Sequence, residues 1–171
     1  MKKIFFFSLL LISLASKAQE YRMNLSLYQD MRLLFIGDNR GNGMFTPNIT
    51  LRFDTEIFNF KKSNVNLAFG LEYADLSSTS FNRFSLGVGF ITEFSFLEKI
   101  RFGLYINHGI IFRRQGSYTG MSANFEATYP IFKKLRILLL YQVLDRIDLS
   151  TIYNTKNNIK GSVFLGVKFA I

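Results

Sequence analysis

Between Phe84 and Phe96 the chain keeps a strict two-residue rhythm. Phe84, Leu86, Val88, Phe90, Thr92, Phe94 and Phe96 fall on one phase, and Ser85, Gly87, Gly89, Ile91, Glu93 and Ser95 on the other. A period of two marks a strand whose faces meet different surroundings, whereas a helix would scatter those phenylalanines around its circumference. The same rhythm predicts strands from Tyr21 running on towards Phe35, over Ile49–Ile57, Val65–Tyr73 and Ile100–Ile110, and over Met121–Tyr129, Leu135–Ile147 and Ile159–Ile171. The stretch from Leu135 is the least regular, because Leu138 and Leu140 fall on its polar phase.

Short and long connections take turns between these eight segments. Three short turns, at Lys61–Asn64, Leu97–Lys99 and Phe132–Lys134, share an aromatic or apolar residue, a Lys-Lys or Glu-Lys pair and a fresh start to the next strand. They recur about every 36 residues (Lys62, Glu98, Lys134), the length of one hairpin. Between them lie longer polar loops, Gly37–Phe45, Leu76–Asn82, Arg113–Gly120 and Ser150–Asn158. An even number of strands with tight turns at one end and loops at the other predicts an all-β fold, an eight-stranded antiparallel up-and-down transmembrane β-barrel.

Volume and charge decide which phase faces out. An eight-stranded barrel is just wide enough for side chains to fill. The apolar phase, rich in Phe, is too bulky for that space, while the opposite phase carries Gly70, Gly87, Gly89, Gly103, Gly109, Gly166, Ala68 and Ala74. The apolar phase also lacks Lys, Arg, Asp and Glu at mid-strand, as hydrocarbon demands, since a mid-bilayer Lys or Arg costs ~2–4 kcal/mol. Aromatics gather at strand ends, Phe58, Phe60, Phe94, Phe96, Tyr129, Phe132 and Phe169 by the turns and Tyr73, Phe84 and Phe112 by the loops, as two interfacial girdles would.

The opening residues change the picture of where the chain goes. Lys2-Lys3, the apolar run Ile4–Leu14 and Ser16-Lys17-Ala18 have the three parts of a cleaved secretory signal, so residues 1–18 are expected to be removed and residues 19–171 to form the barrel. Loss of Lys2, Lys3 and Lys17 lowers the formal charge from +9 to +6. A basic exported protein points to lipid headgroups rather than nucleic acid as its anionic neighbour. With no Cys there is no disulfide framework and no acylated cysteine.

On this strand number, loop asymmetry and alternation the mature chain resembles the small eight-stranded outer-membrane barrels, the OmpX type and the OmpA transmembrane domain. Its closing Val167-Lys-Phe-Ala-Ile171 departs from the terminal aromatic of those barrels by placing Phe169 two residues early. The resemblance implies an outer-membrane location and assembly by the barrel-insertion machinery. It also implies a role in envelope integrity, adhesion or surface interaction, with no particular ligand.

The lumen phase carries acids Asp54, Glu56, Glu72, Glu93 and Glu126 and bases Arg22, Arg52, Arg101, Arg136, Lys160 and Lys168. A selectivity ring would be lopsided in sign; this near balance predicts paired charges plugging the interior. His108, the single histidine, lies on the apolar phase towards the loops, and Ile110 stands where a His-x-Ser lipid-modifying enzyme would need Ser. No catalytic constellation, metal site or cofactor is expected. Asp38–Gly43 echoes the start of a calcium loop but has Arg40 at the third-ligand position and Ile49 in place of the closing Glu, so it reads as an Asn/Gly turn.

Arg40, Arg83, Arg113, Arg114 and Lys156 sit at the loop end. Arg113 and Arg114 are the candidates for bidentate contact with lipopolysaccharide phosphates. The expected function is a monomeric, plugged barrel acting structurally or through its extracellular loops, with outer-membrane lipids and lipopolysaccharide, the assembly machinery and an extracellular ligand or surface partner around it. A narrow pore, a soluble secreted barrel with an apolar ligand and a lipid-modifying enzyme are the alternatives, in that order.

Overall fold

The computed structural model describes residues 22–38, 41–77, 79–94, 97, 99–154, 156 and 158–171. The predicted signal peptide lies outside the described residues. The strands are β1 (Met23–Asp30), β2 (Asn48–Phe60), β3 (Ser63–Ala74), β4 (Phe81–Glu93), β5 (Arg101–Arg113), β6 (Gly116–Pro130), β7 (Leu135–Asp145) and β8 (Ile159–Ala170). Each pairs antiparallel with its neighbour in sequence, and β1 pairs with β8, so the sheet closes with no free edge. Two short helices lie between strands, α1 (Met31–Phe35) and α2 (Ile147–Tyr153).

The phases are distributed as volume and charge require. Leu86, Val88 and Phe90 of β4 are exposed on the outer wall, as are Leu104 and Ile106 of β5, Leu139 of β7 and Val163 of β8. Their partners in alternation turn inward, and Ser85, Asn107, Asn124 and Gln142 are buried. The small inward residues make room for large ones across the ladder. Gly89 faces Tyr105 in the β4–β5 register, and a Cβ on Gly89 would stand 2.2 Å from the Tyr105 ring.

The inside is layered rather than uniformly polar. Leu138 and Leu140, which break the alternation of β7, face the lumen and pack with Tyr28 and Phe164. Nearer the loops, Ala74, Phe81, Ile111 and Leu144 form a second apolar cluster. The irregular strand is therefore a strand whose inner face belongs to a small dry core.

Four expectations change at the strand ends. β1 stops at Asp30, whose side chain accepts a hydrogen bond from the Leu33 amide (3.1 Å) and turns the chain into α1, so the strand does not run on to Phe35. β4 starts at Phe81, three residues before Phe84, and ends at Glu93, with Ser95 and Phe96 outside the described residues, and β5 begins at Arg101. The expected loop Arg113–Gly120 is mostly strand: Arg113 pairs with Gly116 and Phe112 with Ser117, leaving a tight turn at Arg114 and Gln115. Part of Ser150–Asn158 is helix α2, which buries Leu149. The expected turn at Lys61-Lys62 stands, between Phe60 and Ser63.

Candidate functional site

Midway along the lumen, β2, β6 and β8 each turn charged side chains to the axis. Arg52 Nε lies 3.3 Å from Asp54 Oδ1, and its guanidinium also pairs with Glu126. Lys168 Nζ donates to Glu126 Oε1 (2.8 Å) and stands 3.6 Å from Asp54 Oδ1. Asp54 accepts further bonds from the amides of Asn24 (3.0 Å) and Asn66 (2.9 Å). Tyr105 closes the group: Lys168 bonds to its hydroxyl (3.3 Å), and the Arg52 guanidinium lies 4.0 Å from its ring centroid. Arg52, Asp54, Glu126 and Lys168 are all buried, two cations against two anions. Such a neutral, multiply hydrogen-bonded cluster is the form in which buried charge is tolerated.

A second cluster lies under the loops. Arg146 holds Asp148 with both arms, Nε to Oδ1 and a terminal nitrogen to Oδ2, each 2.8 Å. Arg113 Nε approaches Asp148 Oδ2 at 3.3 Å from the end of β5. The Arg146 guanidinium also lies 4.0 Å from the Phe81 ring centroid. Asp148 therefore ties α2 to the end of β5 and to Arg146, the residue just past β7, and is fully buried. Beside it, Arg83 pairs with Glu72 (3.4 Å) and donates to Ser122 Oγ (2.7 Å). These groups border a mouth cavity of about 210 Å³ whose lining includes Asp30, Glu72, Phe81, Arg146 and Lys160.

The third feature is the connection between β1 and β2. Asp38 Oδ1 and Oδ2 accept from the backbone (3.2 Å) and side-chain amide (2.8 Å) of Asn42, and Asn42 Oδ1 accepts from the Ser77 amide (2.7 Å). Gly37 has φ +89°, and a Cβ there would stand 2.4 Å from the Asn42 carbonyl oxygen, so this bend requires glycine. On this frame Phe35 (52%), Ile36 (77%), Met44 (57%) and Phe45 (70%) are exposed. Phe45 has φ 62°, a left-handed conformation unusual for a bulky residue.

The structure brings together four of the lumen residues picked from the pattern, Arg52, Asp54, Glu126 and Lys168. The others are dispersed. Glu72 joins the mouth group and Lys160 lines the mouth cavity. Glu93 and Arg101 pair with each other at the turn end, half-exposed. Glu56 accepts from the Asn59 and Asn64 amides, Arg136 donates to Thr128 Oγ1 (3.0 Å), and Arg22 is exposed at the rim. Arg83, expected among the loop cations, is a lumen residue. It shares the inward phase of Ser85 and Gly87, and extending that rhythm one step back would have found it.

The candidate phosphate clamp is corrected by the same geometry. The Arg113 side chain is 2% exposed and turned to Asp148, while Arg114 is exposed in the tight turn. The pair therefore does not present two guanidiniums to one ligand. Arg146 continues the buried phase of Gln142 and Leu144 one step past β7, whereas Asp148 had no sequence signal, because it sits beyond the end of the alternation. His108 is on the outer wall, opposite Leu86 and Met121 in the ladders. Within Asp38–Gly43 the Asp38 oxygens accept from Asn42, and Asn39 and Arg40 lie outside the described residues.

An apolar wall that runs right round a closed barrel far exceeds the exposed patches of water-soluble monomers. Hydrocarbon is the surrounding it fits, and a closed barrel satisfies the backbone there. The chain is a membrane-spanning barrel of the outer-membrane type, with its turns on the periplasmic side. Among solved structures it is similar to the Yersinia pestis outer membrane protein Ail in a phospholipid nanodisc, at 12% identity and a TM-score of 0.57, covering 89% of this chain and 100% of that one. It is also similar to Neisserial surface protein A, at 12% identity and a TM-score of 0.50, covering 88% of this chain and 97% of that one. These likenesses concern the fold. No protein-family model and no curated protein matches the sequence.

Proposed function

We propose that this chain is a non-enzymatic surface-interaction barrel with a plugged interior, making its contacts through its extracellular loops. The observation that carries the reading is the β1–β2 connection, where Phe35, Ile36, Met44 and Phe45 are held out on a frame fixed by Asp38, Asn42 and Gly37. Exposed apolar side chains on an ordered loop, one of them in a costly backbone conformation, are the hallmark of a contact surface. The neutral Arg52–Asp54–Glu126–Lys168 layer supports the plugged interior, because a conducting path needs a one-signed or water-filled lining.

Two measurements test this. In planar bilayers the protein is expected to give no steady single-channel conductance; a stable open level would favour the narrow pore instead. Cells displaying the wild-type barrel are expected to adhere to protein-coated surfaces, and the quadruple variant F35S/I36S/M44S/F45S is expected to lose that adhesion while still showing heat-modifiable gel migration. Equal adhesion by a folded quadruple variant would remove this loop from the function.

A further inference from the structure

The two ends of the barrel use their basic residues differently. At the loop end four arginines face acids, Arg83 with Glu72, Arg113 and Arg146 with Asp148, and Arg32 near Asp38 (3.7 Å), while Arg114 and Lys156 are exposed. At the turn end, Lys61, Lys62, Lys99, Lys133 and Lys134 are all exposed. Two described side-chain carboxylates at that end, Glu56 and Glu93, are engaged by Asn59 and Asn64 and by Arg101. No salt bridge among the described residues takes Lys61, Lys99, Lys133 or Lys134.

A second feature points to what these cations meet. Phe58 and Phe60 precede Lys61-Lys62, and Ile131 and Phe132 precede Lys133-Lys134, all four exposed on the outer side of the same rim. Aromatics at the headgroup level with lysines one step beyond are placed to put rings among the upper acyl chains and ammonium groups at the phosphates. Lysine suits that task, being a mobile, strongly hydrated point charge that follows a fluid headgroup layer. Between the same turn and Arg22 and Arg101 lies a polar cleft of about 150 Å³.

We propose that the turn end is a docking surface for the anionic phospholipid headgroups of the periplasmic leaflet, with Lys61, Lys99, Lys133 and Lys134 on the lipid phosphates and Phe58, Phe60 and Phe132 seated beside them. The surface is distinct from the loops and acts on lipid already in the bilayer. It holds the barrel at a fixed depth and enriches acidic lipid around its rim.

The mature protein, reconstituted in phosphatidylcholine vesicles carrying trace spin-labelled lipid, tests this by electron paramagnetic resonance. Spin-labelled phosphatidylglycerol is expected to associate with the wild-type barrel about fivefold more strongly than spin-labelled phosphatidylethanolamine. The preference should fall to near parity in K61Q/K99Q/K133Q/K134Q and stay intact in the loop-end variant R114Q/K156Q. Should the quadruple variant not fold, the wild-type protein still decides, since near 1 M salt shortens screening to ~3 Å and should erase the preference. Parity for wild type at low salt overturns the proposal, as does a preference lost only in the loop-end variant. Parity together with lysine-dependent binding of soluble murein fragments would overturn it in favour of an acidic glycan.

Discussion

The mid-barrel layer and the mouth are built from the same groups, arginine against carboxylate, yet they stand on different supports. In the middle, Arg52, Asp54, Glu126 and Lys168 come from three strands whose positions are fixed by the closed ladder. At the mouth, Asp148 stands on a short helix between strands and is itself what fixes that helix, through Arg146 and Arg113. In the first case the fold positions the charges. In the second the charges position the fold. Removing a partner should therefore cost global stability in the middle and local order at the mouth.

The sharpest test of that contrast is Glu126→Ala. It leaves Arg52 and Lys168 sharing Asp54 alone in a buried setting, and breaking such a cluster by removing one partner costs about 3–5 kcal/mol. Equilibrium urea unfolding in detergent micelles is expected to show an unfolding free energy lowered by that amount and a correspondingly lower midpoint, with heat-modifiable migration lost at a lower temperature. A loss under about 1 kcal/mol would mean that water already solvates these charges. It would then undermine the plugged interior as well as the comparison.

Asp148→Asn tests the other side at smaller cost. The shape is kept and the charge removed, so the bonds to Arg146 and Arg113 lose their charge-assisted character, worth about 1.5–3 kcal/mol. The expected result is rapid proteolysis between Arg146 and Asn158 with the unfolding midpoint of the barrel nearly unchanged. A midpoint falling as far as in Glu126→Ala would show that the mouth is part of the cooperative unit and would erase the distinction.

The same division explains what the sequence made legible. Alternation records a difference in dielectric between the two faces of a strand, so it is clear wherever one face meets lipid and the other the packed lumen. Phe84 to Phe90 against Ser85 to Gly89 shows it plainly, and strand number, closure and the outward phase followed from it. Past the membrane the outer phase turns polar while the inner one packs Tyr118 against Phe81, Ile111 and Leu144, so the contrast fades while the strand continues. That is why Ser117, Tyr118 and Thr119 read as loop although they pair with Phe112, Ile111 and Ile110. It is also why Asp148, whose partners are set by loop folding, left no periodic trace. Inside the membrane the pattern erred once, at Leu138 and Leu140, because an apolar pair on the inner phase looks like noise until Tyr28 and Phe164 are seen to meet it.

The smallest effect expected runs in the stabilising direction, and it separates building a loop from using it. Phe45 has φ 62°, where an L side chain costs roughly 1–2 kcal/mol and glycine nothing. Its ring is exposed, so little packing offsets that cost. Phe45→Gly is expected to slow proteolysis of the β1–β2 connection by about fivefold, the loop-opening equivalent of ~1 kcal/mol. It should also weaken the adhesion attributed to the loop, whereas Phe45→Ala keeps the strain and removes the ring. If both variants lose adhesion and only glycine gains protection, the ring is held in an unfavourable conformation for contact. If glycine brings no protection, then the loop's frame of Asp38, Asn42 and Gly37 absorbs the strain, and the mouth is stiffer than its irregular backbone suggests.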